Sequence, residues 1–256
     1  MSKAPVIFIG HGSPANAIED NGYTREWRGL GLSVGRPRAV VCVSDRWVTK
    51  GTLINGENSP AQIFDFFGYQ KALYRAEYAC PGDPALARKV RRLLGKASLD
   101  ASWGVDSGVW PVLRHLFPDG GVPVVPVSID RRLSPLVHYE VGKKLGALAD
   151  EGVMILCCGN IVCNLRLIDS ESENGFDWAE GFSSEVKSRV LSNDAPALIE
   201  WEKLPAFDGR VLSSPYHFYP LLYALGAAGE NCRARVVCDS RTAGSVDMTG
   251  FVFTRE

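Results

Sequence analysis

Short apolar runs alternate with amphipathic segments along this chain. The runs Val6–Ile9, Ala39–Ser44, Val122–Ile129, Val153–Cys158, Arg235–Cys238 and Gly250–Thr254 are strand-sized. Most are rich in Val and Ile and lack a clean period of two, the pattern of strands buried on both faces. Between them lie segments with helix starts. Asp83-Pro84 offers an N-cap and a first-turn proline before Ala85–Ala97, and Ser134-Pro135 does the same before Leu136–Leu148, with Gly152 beyond. Asp177 precedes Trp178–Leu191, and a helix over Tyr216–Leu225 is expected to end at Gly226. Strands alternating with helices predict an α/β fold with a central mostly parallel or mixed sheet flanked by helices. No linker, repeat or low-complexity tract divides the chain, so one domain over residues 1–256 is expected.

Composition narrows the function classes. Hydrophobic residues at 46% and charged residues at 22% fit a globular domain. With 28 Lys+Arg against 29 Asp+Glu and no dense basic block, nucleic acid is not an expected partner. The basic stretch Arg88–Arg92 reads as the wet side of a helix. No apolar run approaches a bilayer span, and the run near the N-terminus is too short for a signal-peptide core, so neither a membrane nor export is expected. The seven cysteines, Cys42, Cys80, Cys157, Cys158, Cys163, Cys232 and Cys238, form no Cys-x-x-Cys pair. They read as reduced thiols of a cytoplasmic protein. A homo-oligomer is left open.

In open α/β sheets ligands bind beyond the carboxyl ends of the strands. There the chain places Gly10-His11-Gly12-Ser13-Pro14, Ser44-Asp45-Arg46-Trp47 and Gly159-Asn160-Ile161-Val162-Cys163-Asn164. Two further clusters are Trp103–Trp110, containing Asp106 and Ser107, and Ser214–Pro220, containing His217. Each has a plain structural reading as well: turn chemistry for His11, a surface ion pair for Asp45 and Arg46, packing for Cys163 and His217. His115 and His138 lie in helical runs and are read as structural. A nucleophile elbow, a Walker loop and a His-Glu-x-x-His helix are all missing.

The ordered segments GHGSPANAIEDNGYTREW, SDRW, QKALYRAEYACPGDPALA, WGVDSGVW, VPVVPVSID, HYEVGKKLGALADEGVMI, GNIVCN and YHFYPLLYALGA carry a likeness over nearly the whole length. The chain resembles the class III extradiol ring-cleaving dioxygenases, in particular their DOPA 4,5-dioxygenase-like branch. That resemblance implies an oxidoreductase family holding iron(II), or zinc in some crystals, and acting on aromatic compounds. By position, His11 and His217 match the first and third metal ligands. Arg46 stands at the second, Ser107 and Cys163 at two further histidine positions, and Phe64 where relatives often carry His.

Four histidine positions are thus replaced. A guanidinium stays protonated and only donates, so it cannot ligate a metal. Asp45 is a conceivable substitute ligand, but neighbours on an extended strand face opposite ways, so an inward Arg46 predicts an outward Asp45. The expectation is therefore no metal or other cofactor, with His11, Cys163 and His217 catalytic. Arg46, Asp45, Ser107 and Asn160 are expected to bind a small phenol or carboxylate. The chemistry expected is acid/base, or nucleophilic at a Cys163 thiolate. Two alternatives stand beside it: an active ring-cleaving dioxygenase with iron(II) or zinc on His11 and His217, and a non-catalytic binding or partner protein.

Overall fold

The computed structural model describes residues 3–172 and 174–255; the expected domain limits, 1 and 256, lie outside the described residues. Ten strands run in chain order as β1 (Val6–Gly10), β2 (Ala39–Thr49), β3 (Thr52–Asn55), β4 (Ala97–Asp100), β5 (Val124–Asp130), β6 (Val153–Gly159), β7 (Cys232–Val237), β8 (Arg241–Thr242), β9 (Val246–Asp247) and β10 (Gly250–Arg255). Eight of them form one sheet in the order β4-β3-β5-β2-β6-β1-β10-β7, while β8 and β9 pair separately. Pairings β5–β2, β2–β6 and β6–β1 are parallel, and β10 joins antiparallel to both β1 and β7. The sheet is mixed, with a parallel centre.

Alternation along each central strand sends neighbours to opposite layers. Val6 and Phe8 of β1 join one core, with the helices Pro84–Leu94, Pro135–Gly146, Asp177–Leu191 and Tyr219–Ala228. Ile7 and Ile9 join the other, with the helices Gly22–Val34 and Trp110–Leu116. Every strand predicted from an apolar run is present. The edge strand β4 and its neighbour β3 were not predicted, because Thr52–Asn55 and the half-exposed Ala97–Asp100 are short and carry no long apolar run.

Several helix boundaries differ from expectation; the helix expected to reach Leu148 ends at Gly146. The helix after Asp83 stops at Leu94 under Gly95, and Ala97 already belongs to β4. Asp177 is the first helical residue rather than the cap, which is Phe176. Tyr216 and His217 lie in a separate 3-10 turn, Pro215–His217, and the following helix runs through Gly226 to Ala228. Gly226 is interior because two helices cross there. A Cβ on it would lie 2.0 Å from the Tyr139 carbonyl oxygen, and one on Gly142 would lie 2.2 Å from that of Tyr223. These glycines serve close backbone approach, not helix ending. Gly142→Ala is expected to force the crossing apart and destabilise the fold by about 1–3 kcal/mol, read as a lower urea midpoint.

Candidate active site

The parallel centre decides where the polar residues meet. β2, β6 and β1 are adjacent, so their carboxyl ends open on one place. His11 follows β1 directly, and its backbone N–H donates to the Gly159 carbonyl at the end of β6, 3.2 Å away. The next residue, Gly12, has φ +57°, where a Cβ would strike the Met248 sulfur, so the turn there requires glycine. Ser13 caps the short turn Pro14–Ala17 that carries the chain away. On the opposite side, the turn Pro215–His217 is held over the sheet by the Asn160 N–H, which donates to the His217 carbonyl at 2.8 Å.

Between these lies Asp45, whose side chain is fully buried. His11 Nε2 lies 3.0 Å from its Oδ1 and His217 Nδ1 lies 2.6 Å from its Oδ2. Asp45 therefore bridges two imidazoles, and both line up through one carboxylate. The expectation that Asp45 and Arg46 face opposite ways fails. Against β5, strand β2 advances from Val43 to Val48 while its partner advances only from Val127 to Ile129. Such extra residues break strict alternation and re-aim side chains. Asp45 turns between the histidines, and Arg46 turns into the neighbouring cleft with its Nε 3.6 Å from Asp45 Oδ1.

The electrostatics follow from this packing. Burial opposes the charge on Asp45, but the imidazoles of His11 and His217 outweigh it and hold the carboxyl well below the usual range. Burial likewise opposes a charged His217, yet the hydrogen bond to Asp45 and the neighbouring Cys163 raise it to about 10. Arg46 is partly desolvated and is compensated by the carboxylates of Asp45, Asp65 and Asp106. Asp106 is pushed up to about 6, chiefly by burial, although Trp103 Nε1 and Ser44 Oγ both donate to it.

Beside the triad is a cleft of about 400 Å³. His11, Arg46, Asp65, Asn160 and Cys163 supply polar lining, with Phe66, Tyr69, Leu165 and Ile168 among its apolar walls. Of the predicted residues, His11, Arg46, Asn160 and Cys163 reach this cleft, while Asp45 and His217 stand behind it. Asn160 is committed, donating through Nδ2 to the Asp247 carbonyl at 2.7 Å. Ser107 is buried outside the lining; its Oγ has no partner among the described residues, and its N–H donates to Asp65. Phe64 packs against Phe66 and Trp110. His115 and His138 are structural: His115 Nε2 donates to the Asn16 carbonyl, and His138 Nδ1 lies 3.0 Å from the Tyr223 hydroxyl. Sequence reasoning missed Asp65, Phe66 and Tyr69. The only signal was that Asp65 adjoins the position of Phe64.

Residues 6–253 match the family model described as the catalytic LigB subunit of aromatic ring-opening dioxygenase. The chain belongs to this family. A 4,5-DOPA dioxygenase extradiol of Escherichia coli is 42% identical over 88% of this chain and 86% of that protein. One of Beta vulgaris is 31% identical over 97% of this chain and 96% of that protein. The crystal structure of an uncharacterized protein, JW3007, from Escherichia coli superposes with a TM-score of 0.85 at 34% identity, covering 98% of this chain and 99% of that one. The resemblance read from the motifs is thereby established at the level of the family and its α/β fold.

LigB-family proteins usually work with a metal. By type, His11, Asp45 and His217 make a two-histidine, one-carboxylate set. By arrangement they do not fit a dication. Both ring nitrogens of His11 face oxygen acceptors, Asp45 Oδ1 and the Gly12 carbonyl, and each oxygen of Asp45 is engaged by an imidazole. The charged His217 and the Arg46 guanidinium place positive charge against the same carboxylate. Among the described residues no group of three His, Cys, Asp or Glu is arranged to share an ion.

The raised His217 makes stability depend on pH in a definite direction. Its ion pair contributes fully below the unfolded value near 6.5 and is lost as pH rises through about 10. Asp45→Asn removes the anion that both imidazoles share. It should bring the His217 titration, followed by NMR, back toward neutrality, flatten the alkaline loss of stability, and cost about 3–5 kcal/mol at pH 7 in urea unfolding.

Proposed function

We propose that this LigB-family protein acts on a small phenolic or carboxylate-bearing aromatic molecule by metal-independent acid/base chemistry. The observation that carries the reading is the Arg46 side chain in the cleft, adjoining the buried His11–Asp45–His217 relay. In relatives named as DOPA dioxygenases the substrate is an aromatic catechol; here the cleft of about 400 Å³ holds one ring between Phe66, Tyr69, Leu165 and Ile168. Arg46 binds the anionic end of that molecule, since a guanidinium forks onto carboxylate or phenolate oxygens. Its Nε is buried with no hydrogen-bond partner among the described residues. His11 lines the cleft; with Nε2 held by Asp45, its Nδ1 exchanges the Gly12 carbonyl for the substrate and moves the proton at the ring or its substituent, and His217 balances the charge on Asp45. No described helix is long and apolar enough to cross a membrane.

A second reading, metal-dependent ring cleavage, is favoured by family membership and by the donor types of His11, Asp45 and His217. Two measurements separate the readings. Protein purified without added metal should carry well under one iron or zinc per chain and consume no oxygen with catechols; stoichiometric metal with oxygen uptake would overturn the first reading. Arg46→His should raise metal affinity, because it removes a repelling charge and supplies an imidazole.

The clamp has its own test. Arg46→Lys keeps the charge but loses the planar fork, so affinity for aromatic carboxylates and phenols should fall by about 1–3 kcal/mol while the melting temperature holds. Titration calorimetry across a panel of such compounds reads this directly. Equal affinity in both proteins, or no binding by either, removes the clamp.

A further inference from the structure

Arg46 enters the cleft from an irregular strand end, and a separate group of buried polar residues holds that end in place. Ser44 Oγ accepts the Arg46 backbone N–H at 3.1 Å and donates to Asp106 Oδ1 at 2.7 Å. A serine hydroxyl has one proton to give and lone pairs to receive with, so this one works in both directions. By taking an N–H from the same strand it offers the backbone a local partner in place of the sheet ladder. The stretch concerned lies between Val43 and Val48, where β2 shifts register against β5.

Asp106 is itself fixed. Its Oδ1 also accepts the Gly108 N–H at 3.1 Å, and its Oδ2 accepts Trp103 Nε1 at 3.0 Å. Its carbonyl accepts the Val109 and Trp110 N–H groups, each at 2.9 Å, at the start of the helix Trp110–Leu116. The same loop presses on the arginine stem. A Cβ on Gly108 would lie 2.7 Å from Ser44 Oγ and 3.3 Å from Arg46 Cγ. Next to it, the Ser107 N–H donates to Asp65 Oδ1 at 3.0 Å. Arg46 and Asp65, which both line the cleft, are thus fastened to one loop, residues 106–108.

We propose that Ser44, anchored by Asp106, is a positioning residue that holds Arg46 in its ligand-binding orientation, with Gly108 leaving room for the arginine stem. This rests on the reading of Arg46 as the clamp for an anionic ligand. An arginine side chain has many rotamers, and a clamp that must first find its orientation gives up binding free energy. Asp45 Oδ1, 3.6 Å from Arg46 Nε, attracts the guanidinium but makes no hydrogen bond with that nitrogen, which is buried without a partner among the described residues. The aim is therefore set from the backbone end, by the hydroxyl that takes the Arg46 N–H and the glycine against its Cγ. Supports of this kind decide whether a binding group stands ready or wanders.

Exchange of the arginine Nε–H groups with solvent, followed by NMR on the full-length protein, reads the aim of Arg46 without any ligand. Arg241 is the internal reference. Its Nε is likewise buried without a hydrogen-bond partner among the described residues, on a guanidinium held by Glu180 and Asp239. Both signals should exchange more slowly than those of exposed arginines, and loss of one signal in Arg46→Lys assigns it. Ser44→Ala and Gly108→Ala should each speed exchange at Arg46 by about tenfold and leave Arg241 unchanged. Adding Asp106→Asn to Ser44→Ala should speed it little further, because the two residues act along one chain of hydrogen bonds.

Benzoate and its neutral analogue benzamide then read the consequence by titration calorimetry. The unmodified protein should prefer benzoate by about tenfold, and Ser44→Ala should bring that preference close to parity while benzamide affinity stays within about twofold. A merely structural role would weaken both ligands alike. Unchanged exchange at Arg46 in both variants, or equal acceleration at Arg46 and Arg241, overturns the brace. Fast exchange at Arg46 in the unmodified protein overturns it without any variant, so misfolding of a variant does not protect it. A benzoate preference that survives Ser44→Ala and Gly108→Ala spares the clamp and overturns the brace. Faster exchange in the variants, with no benzoate preference in the unmodified protein, supports the brace and overturns the clamp.

Discussion

One buried carboxylate organises this protein's centre. Asp45 has no exposed side-chain surface, and an isolated ion there would cost several kcal/mol. It is tolerated because two imidazoles from distant parts of the chain reach it, His11 from the end of β1 and His217 from the turn before the helix Tyr219–Ala228. The same contact links the sheet to the chain segment that crosses it. It fixes the orientation of both imidazoles, and it sets the charge against which Arg46 is placed.

Sheet order makes that contact available. β1, β6 and β2 are neighbours, so residues 11, 45–46 and 160–163 arrive at one end although they are far apart in the chain. The cleft that results is charge-balanced rather than charge-neutral at each point. Arg46 and His217 face Asp45, with Asp65 and Asp106 further around the guanidinium. In the LigB family to which the chain belongs, a metal ordinarily supplies positive charge at such a site. In this chain the Arg46 guanidinium and the His217 imidazole also place positive charge beside Asp45.

Much of the fold was legible because hydrophobic burial writes directly into sequence. The Val- and Ile-rich runs became the buried strands, and Asp83-Pro84 and Ser134-Pro135 marked real helix starts. The misses also have physical causes. β3 and β4 are short, and the half-exposed β4 carries polar residues, so no long apolar run announces either. Gly226 looked like a helix end because glycine commonly ends helices, whereas its role is to admit the Tyr139 backbone at a crossing. That need arises from a second helix, which no local pattern contains.

By itself the sequence determined the α/β class, the places where strands end, and the residue types gathered there. These are local or compositional properties, readable wherever a run of side chains must be buried. Only the tertiary structure decided that Asp45 turns inward together with Arg46, because the extra residues of β2 between Val43 and Val48 depend on its pairing with β5. Likewise, only the folded chain joins Asp45 to His217, across an interval of 172 residues. Long-range pairing sets side-chain direction at an irregular strand, and it is that direction, rather than residue type, that made a buried relay from what alternation alone would read as an outward-facing aspartate.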